Sequence, residues 1–80
     1  MAEEIKADQT INLEGLLCPI PVVKVSQAIK NLPVGGVLAA TATDPGVLAD
    51  IPAWTRSTGN ELLSMNRDCK LIKFFVKRVK

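Results

Sequence analysis

Thr10-Ile11-Asn12-Leu13-Glu14-Gly15-Leu16-Leu17-Cys18-Pro19-Ile20-Pro21 is the stretch on which the reading of the fold turns. From Thr10 to Leu13 apolar Ile11 and Leu13 alternate with polar neighbours, which is strand patterning, and Gly15 ends it. From Pro19 to Leu32 the period changes. Val22, Val25, Ile29 and Leu32 recur at three- and four-residue steps with Ala28 beside them, while Lys24, Gln27 and Lys30 fall elsewhere, so an amphipathic helix follows the strand. Pro19 and Pro21 fit its first turn, whose N–H groups have no intrahelical acceptor, and Cys18 is then expected at the N-cap.

Outward from this stretch the same grammar repeats. Pro33 and Gly35-Gly36 stop the helix, and Val37 to Thr43 reads as a small, β-rich central strand. Asp44-Pro45 is a second start signal, a capping side chain followed by proline at the first helical position. Val47, Ile51 and Trp54 share one side of the second helix, Pro52 predicts a kink within it, and Gly59 is its C-terminal cap. Glu61 to Met65 and Leu71 to Val79 read as two final strands joined by a turn at Asn66-Arg67-Asp68. The order β-α-β-α-β-β predicts an α/β (α+β) two-layer sandwich, a mixed four-stranded sheet with two helices on one face.

Composition narrows the chemistry. Eighty residues with 48% hydrophobic and 22% charged side chains make a small globular chain. Its acidic start, Met1-Ala2-Glu3-Glu4, lacks the order of a signal peptide, so a cytoplasmic location without membrane attachment is expected. The chain has no histidine, which removes Ser-His and Cys-His catalysis and His-ligated zinc, and its two cysteines cannot build a four-cysteine metal site. No metal or other cofactor is therefore expected. Positive charge gathers in residues 67–80, where Arg67, Lys70, Lys73, Lys77, Arg78 and Lys80 face a single acid, Asp68; these read as solvated side chains on an outward strand face.

Cys18 is the candidate reactive group. A helix N-cap normally carries an oxygen that accepts a backbone N–H; a thiolate accepts one too, and the positive end of the helix dipole favours it over the thiol. Exchange between two sulfurs needs no general base, which suits a chain without imidazole. Cys69, at the start of the last strand without a capping signal, reads as an incidental thiol.

The segments Leu13-Glu14-Gly15-Leu16-Leu17-Cys18-Pro19-Ile20-Pro21-Val22, Thr43-Asp44-Pro45-Gly46 and Asp50-Ile51-Pro52-Ala53-Trp54 together resemble the TusA/SirA-like sulfur-carrier (sulfurtransferase) family, from about residue 10 to residue 78. The resemblance implies one domain over 1–80, with residues 1–9 a flexible N-terminal extension. It implies that Cys18 takes a sulfane sulfur as a persulfide from a donor protein, a cysteine desulfurase or a rhodanese-like protein. The sulfur then passes to an acceptor protein, for example in tRNA thiolation, molybdenum-cofactor supply or sulfur oxidation. Gly15, Pro19 and Pro21 would support the loop and helix start, and Asp44, Pro45 and Asp50 would shape the second helix. Three positions depart from the family pattern: Asn12 where an aspartate is usual, Leu17 where a polar residue often precedes the cysteine, and Ile20 where an acid often separates the prolines. The Leu17/Ile20 pair is accordingly a candidate docking patch.

Two other classes remain open from the residues alone. One is a thiol redox protein with a reversible Cys18–Cys69 disulfide, and the other a non-catalytic regulatory or binding module using the basic C-terminal strand. Direct nucleic-acid binding is not expected, because Trp54, Phe74 and Phe75 are the aromatic residues and periodicity turns Trp54 inward.

Overall fold

The computed structural model describes residues 6–17 and 19–80; Met1–Ile5 and Cys18 lie outside the described residues. The elements run β1 (Gln9–Leu13), α1 (Ile20–Lys30), β2 (Val37–Ala42), α2 (Val47–Thr58), β3 (Glu61–Asp68) and β4 (Leu71–Lys77), the order expected. The sheet order is β1-β2-β4-β3. β2 runs parallel to β1, and β4 is antiparallel to both β2 and β3. Both crossovers, β1-α1-β2 and β2-α2-β3, therefore step across the sheet in the same direction. A right-handed connection then puts both helices on one face.

The core fills the space between that face and the helices. Val25, Ala28 and Ile29 of α1 and Val47 and Ile51 of α2 meet Leu13, Leu38, Ala40, Ala42, Ile72, Phe74 and Val76 from the strands. β4 shows why the sheet is one-sided: Ile72, Phe74 and Val76 are buried, whereas Lys73 between them is exposed on the other face, its ammonium 5.4 Å from the Phe75 ring centroid.

Several boundaries move. The sheet opens at Gln9, and Asp8 already belongs to it: its amide donates to Val37 O (2.8 Å) and its Oδ2 accepts from Val37 N (2.8 Å). Ordered structure thus begins inside the expected 1–9 extension, whose residues 1–5 are not described. α1 starts at Ile20 with Pro19, not Cys18, at the N-cap; the Pro19 carbonyl accepts from Val23 N (3.2 Å), the bond that defines the cap. α2 starts at Val47 with Gly46 at the cap. Asp44 instead organises the turn before it, its carbonyl accepting from Val47 N (3.1 Å) and its Oδ1 from Gly46 N (3.2 Å). α2 continues through Pro52, which has no N–H to offer Leu48, and ends at Gly59 (φ 81°), as expected.

The largest correction concerns the final hairpin. Asn66, Arg67 and Asp68 are not the turn but the end of β3, paired with Lys73, Ile72 and Leu71. The turn is Cys69-Lys70. Leu62 and Met65 both pack on the core, although residues three apart in a regular strand face opposite ways; a bulge between Leu62 and Ser64 reconciles them and moves the turn toward the C-terminus.

Candidate functional site

The loops that matter leave the C-terminal ends of the two parallel strands. Residues 14–19 follow β1 and residues 43–46 follow β2, and these strands are hydrogen-bonded neighbours.

The 14–19 loop is built from its own residues upward. Leu16 N donates to Leu13 O (3.2 Å), closing a turn whose third residue, Gly15, has φ 81°. That positive φ is what a type II turn requires there and what glycine supplies without strain. Asn12 Oδ1 accepts from Glu14 N (2.9 Å), and Thr43 Oγ1 accepts from Gly15 N (2.9 Å). Farther along, Ile20 N donates to Leu17 O (2.9 Å). Pro21 is buried against the core, whereas Pro19 is exposed.

Cys18 itself lies outside the described residues, but its flanks are defined. Leu17 is 72% exposed, Ile20 42% and Val23 44%. These large apolar side chains lie exposed on the loop and the first turn of α1, while Leu16 turns back onto the core. Lys24 and Lys30 are the charged residues of α1, which has no acid. Asp50 is half-buried in the first turn of α2, where the helix dipole favours a carboxylate; Pro45 is exposed and Asp44 half-buried.

Gly15, Asp44 and Pro45 are therefore brought to one end of the sheet with the 14–19 loop. Cys69 reaches that end too, since Ile72 pairs with Ala42 at the close of β2, but on the hairpin between β4 and β3. Two and a half strand spacings, about 12 Å, separate that hairpin from β1. Cys69 is an exposed free thiol at φ 56° in a two-residue turn, and Arg67 Nε donates to its carbonyl (3.0 Å).

Three residues gained roles that sequence reading did not assign. Asn12 sits where the family pattern has aspartate, and its work here, accepting the amide two residues on, needs an oxygen and not a charge; an Asn at a strand end just before Glu-Gly is itself a turn signal. Thr43 carries no local signal, because a β-branched residue suits a strand end for other reasons. Arg78, read as solvated, instead donates through Nη1 to the carbonyls of Leu32, Lys30 (3.3 Å) and Ile29 (3.4 Å) at the end of α1.

Among the described residues no cluster of three or more His, Cys, Asp or Glu side chains is placed to hold a metal, and no helix is long and apolar enough to cross a membrane.

Comparison with known proteins bears on the same region. The profile of a family described as "Sulfurtransferase TusA" matches residues 9–78. The sulfur carrier protein TusA of Allochromatium vinosum is 34% identical over 71 residues, covering 89% of this chain and 93% of that protein. The Pseudomonas putida protein of the same name is 35% identical over 71 residues, 89% of each chain. The chain spans only about two fifths of two longer relatives: 40% of YrkF from Bacillus subtilis (38% identical, 92% of this chain) and 39% of a sulfur-carrier relative from Aquifex aeolicus (41% identical, 94% of this chain). The crystal structure of a SirA-like protein from Desulfitobacterium hafniense superposes with a TM-score of 0.72 at 24% identity, covering 90% of this chain and 99% of that one, which shows a common fold.

Proposed function

This chain belongs to the TusA sulfurtransferase family, and from that premise we propose that it is a sulfur carrier whose Cys18 holds sulfane sulfur as a persulfide. The observation that carries the reading is the exposure of the side chains bracketing Cys18, Leu17 at 72% and Ile20 at 42%, on a loop held to the neighbouring strand end. A nucleophile that must meet a sulfur on another protein needs flanking residues that a partner can reach, and exposed apolar flanks of this kind supply them.

In the loading step the Cys18 thiolate attacks the terminal sulfur of a donor persulfide. The new bond is Cys18 Sγ–S, the donor S–S bond breaks, and the donor cysteine departs as thiolate. In delivery an acceptor thiolate attacks the outer sulfur, and Cys18 leaves as thiolate. One zero-valent sulfur moves each time, so no external oxidant or reductant enters. Sulfur leaving groups of this kind depart without protonation, which suits a protein without histidine.

The partners of this reading are a donor protein of the desulfurase or rhodanese-like type and an acceptor protein in the cytoplasm, met through the exposed apolar residues Leu17, Ile20 and Val23. Thiolation of tRNA, molybdenum-cofactor supply and sulfur oxidation are the destinations such a carrier serves.

The test is intact-mass analysis after exposure to polysulfide, or to a cysteine desulfurase with cysteine. The protein gains the mass of one sulfur; Cys18→Ser loses that gain and Cys69→Ser keeps it. Sulfur uptake by Cys18→Ser would refute the assignment.

A further inference from the structure

The β1–α1 loop is held by Leu16, packed against the core, and by hydrogen bonds. Glu14, Gly15, Leu17, Pro19 and Ile20 are exposed, and a Cβ placed on Gly15 would meet no atom within 4 Å. Three bonds shape its first half: Leu16 N to Leu13 O, Glu14 N to Asn12 Oδ1 and Gly15 N to Thr43 Oγ1. Of these three, the first two are local and set only the form of the turn. The last spans 28 residues and ties the turn to the end of β2.

Thr43 is well suited to hold that reference point. It follows β2, which lies between β1 and β4, and precedes the Asp44-Pro45-Gly46 turn, itself closed by Val47 N to Asp44 O and Gly46 N to Asp44 Oδ1. Its β-branched side chain is restricted at χ1, so little entropy is lost in aiming the hydroxyl. A valine would satisfy the strand end equally well, so the hydroxyl is the group with a distinct task.

We propose that Thr43 is the positioning residue for Cys18: by accepting the Gly15 amide it pins the loop that presents the thiol three residues on. This rests on the carrier reading for its consequence, but not for its geometry. Because Gly15 is exposed, its amide finds water when the hydroxyl is removed, and the cost to global stability is small. The loss falls instead on how reproducibly the loop presents its nucleophile, where small misplacements are costly.

The experiment uses the full chain in a Cys69→Ser background, comparing the parent with Thr43→Val and Thr43→Ser. Three quantities are measured: the rate of Cys18 alkylation by iodoacetamide, the rate of sulfur loading from polysulfide, and the urea midpoint. Thr43→Val is expected to lower both rates about two- to fivefold, the modest effect of one hydrogen bond, with the midpoint nearly unmoved. Thr43→Ser, which keeps the acceptor, restores both rates. Unchanged or faster rates in Thr43→Val, or failure of serine to rescue, overturn the proposal. Failure of the parent to take up sulfur, with alkylation still dependent on the Thr43 hydroxyl, would reject the carrier reading and leave the positioning role standing.

Discussion

Replacing Arg78 by alanine is expected to destabilise the fold from the end of the sheet opposite the Cys18 loop. The Arg78 main chain is pinned independently, its amide donating to Gly36 O (2.8 Å) and its carbonyl accepting from Gly35 N (2.7 Å), so the substitution removes the side chain without freeing the backbone. What is lost is a guanidinium bonded to the carbonyls of Leu32, Lys30 and Ile29. Ile29 and Leu32 are buried residues, 4% and 7% exposed, so water replaces the donor poorly. Hydrogen bonds to a charged group contribute about 1.5–3 kcal/mol, and a cation at a helix C-terminus about 0.3–1 kcal/mol. Two of the three contacts are long and Arg78 is only half-buried, so the expected loss is about 2 kcal/mol, near the lower end of that range. For a chain of this size, that amounts to about 10 °C in Tm. Thermal and urea unfolding would be followed by circular dichroism and by fluorescence of Trp54, which lines the same surface hollow as Arg78. Arg78→Lys keeps the charge but not the planar fork, and should recover less than half of the loss. A drop below about 3 °C for alanine, or full recovery by lysine, would refute the reasoning. The alkylation rate of Cys18 should stay at the parent value, since Lys77 pairs with Val37, at the end of β2 remote from the β1–α1 loop.

Two further outcomes follow from exposure and backbone conformation. Leu17→Ser should leave Tm unchanged, because Leu17 is 72% exposed, while slowing protein-to-protein sulfur transfer by about tenfold, the effect of about 1.4 kcal/mol at an interface; loading from small polysulfide stays normal, and equal transfer rates would rule out the docking role. Cys69→Gly should stabilise the hairpin by about 0.5–1 kcal/mol, because glycine adopts the φ of 56° without the strain a Cβ introduces there; a lowered urea midpoint would contradict this.

Most of the architecture was legible in short-range periodicity. The three- and four-residue recurrence of Val22, Val25, Ile29 and Leu32, with Ala28 beside them, identifies the inward face of the first helix: Val25, Ala28, Ile29 and Leu32 are buried, and Val22 is half-buried against the core. The helix starts were misjudged by one and two residues for a physical reason. Proline and aspartate signal that a helix is near, but the cap is set by which carbonyl receives the first i+4 amide, here Pro19 and Gly46. The hairpin was misplaced because Asn66 and Asp68 have turn chemistry, while the pairing register is dictated by burial of Leu62 and Met65 across a bulge.

By itself, the amino-acid order determined the succession of elements, the faces they bury and, through the absence of histidine and the motif around Cys18, the candidate thiol. Tertiary structure alone decided the strand order β1-β2-β4-β3, the grip of Thr43 on Gly15 and that of Arg78 on the end of α1. Periodicity records whether a side chain meets the core or solvent. It carries no information on which distant partner, 28 or 46 residues away, will satisfy a given amide or carbonyl until the sheet has assembled.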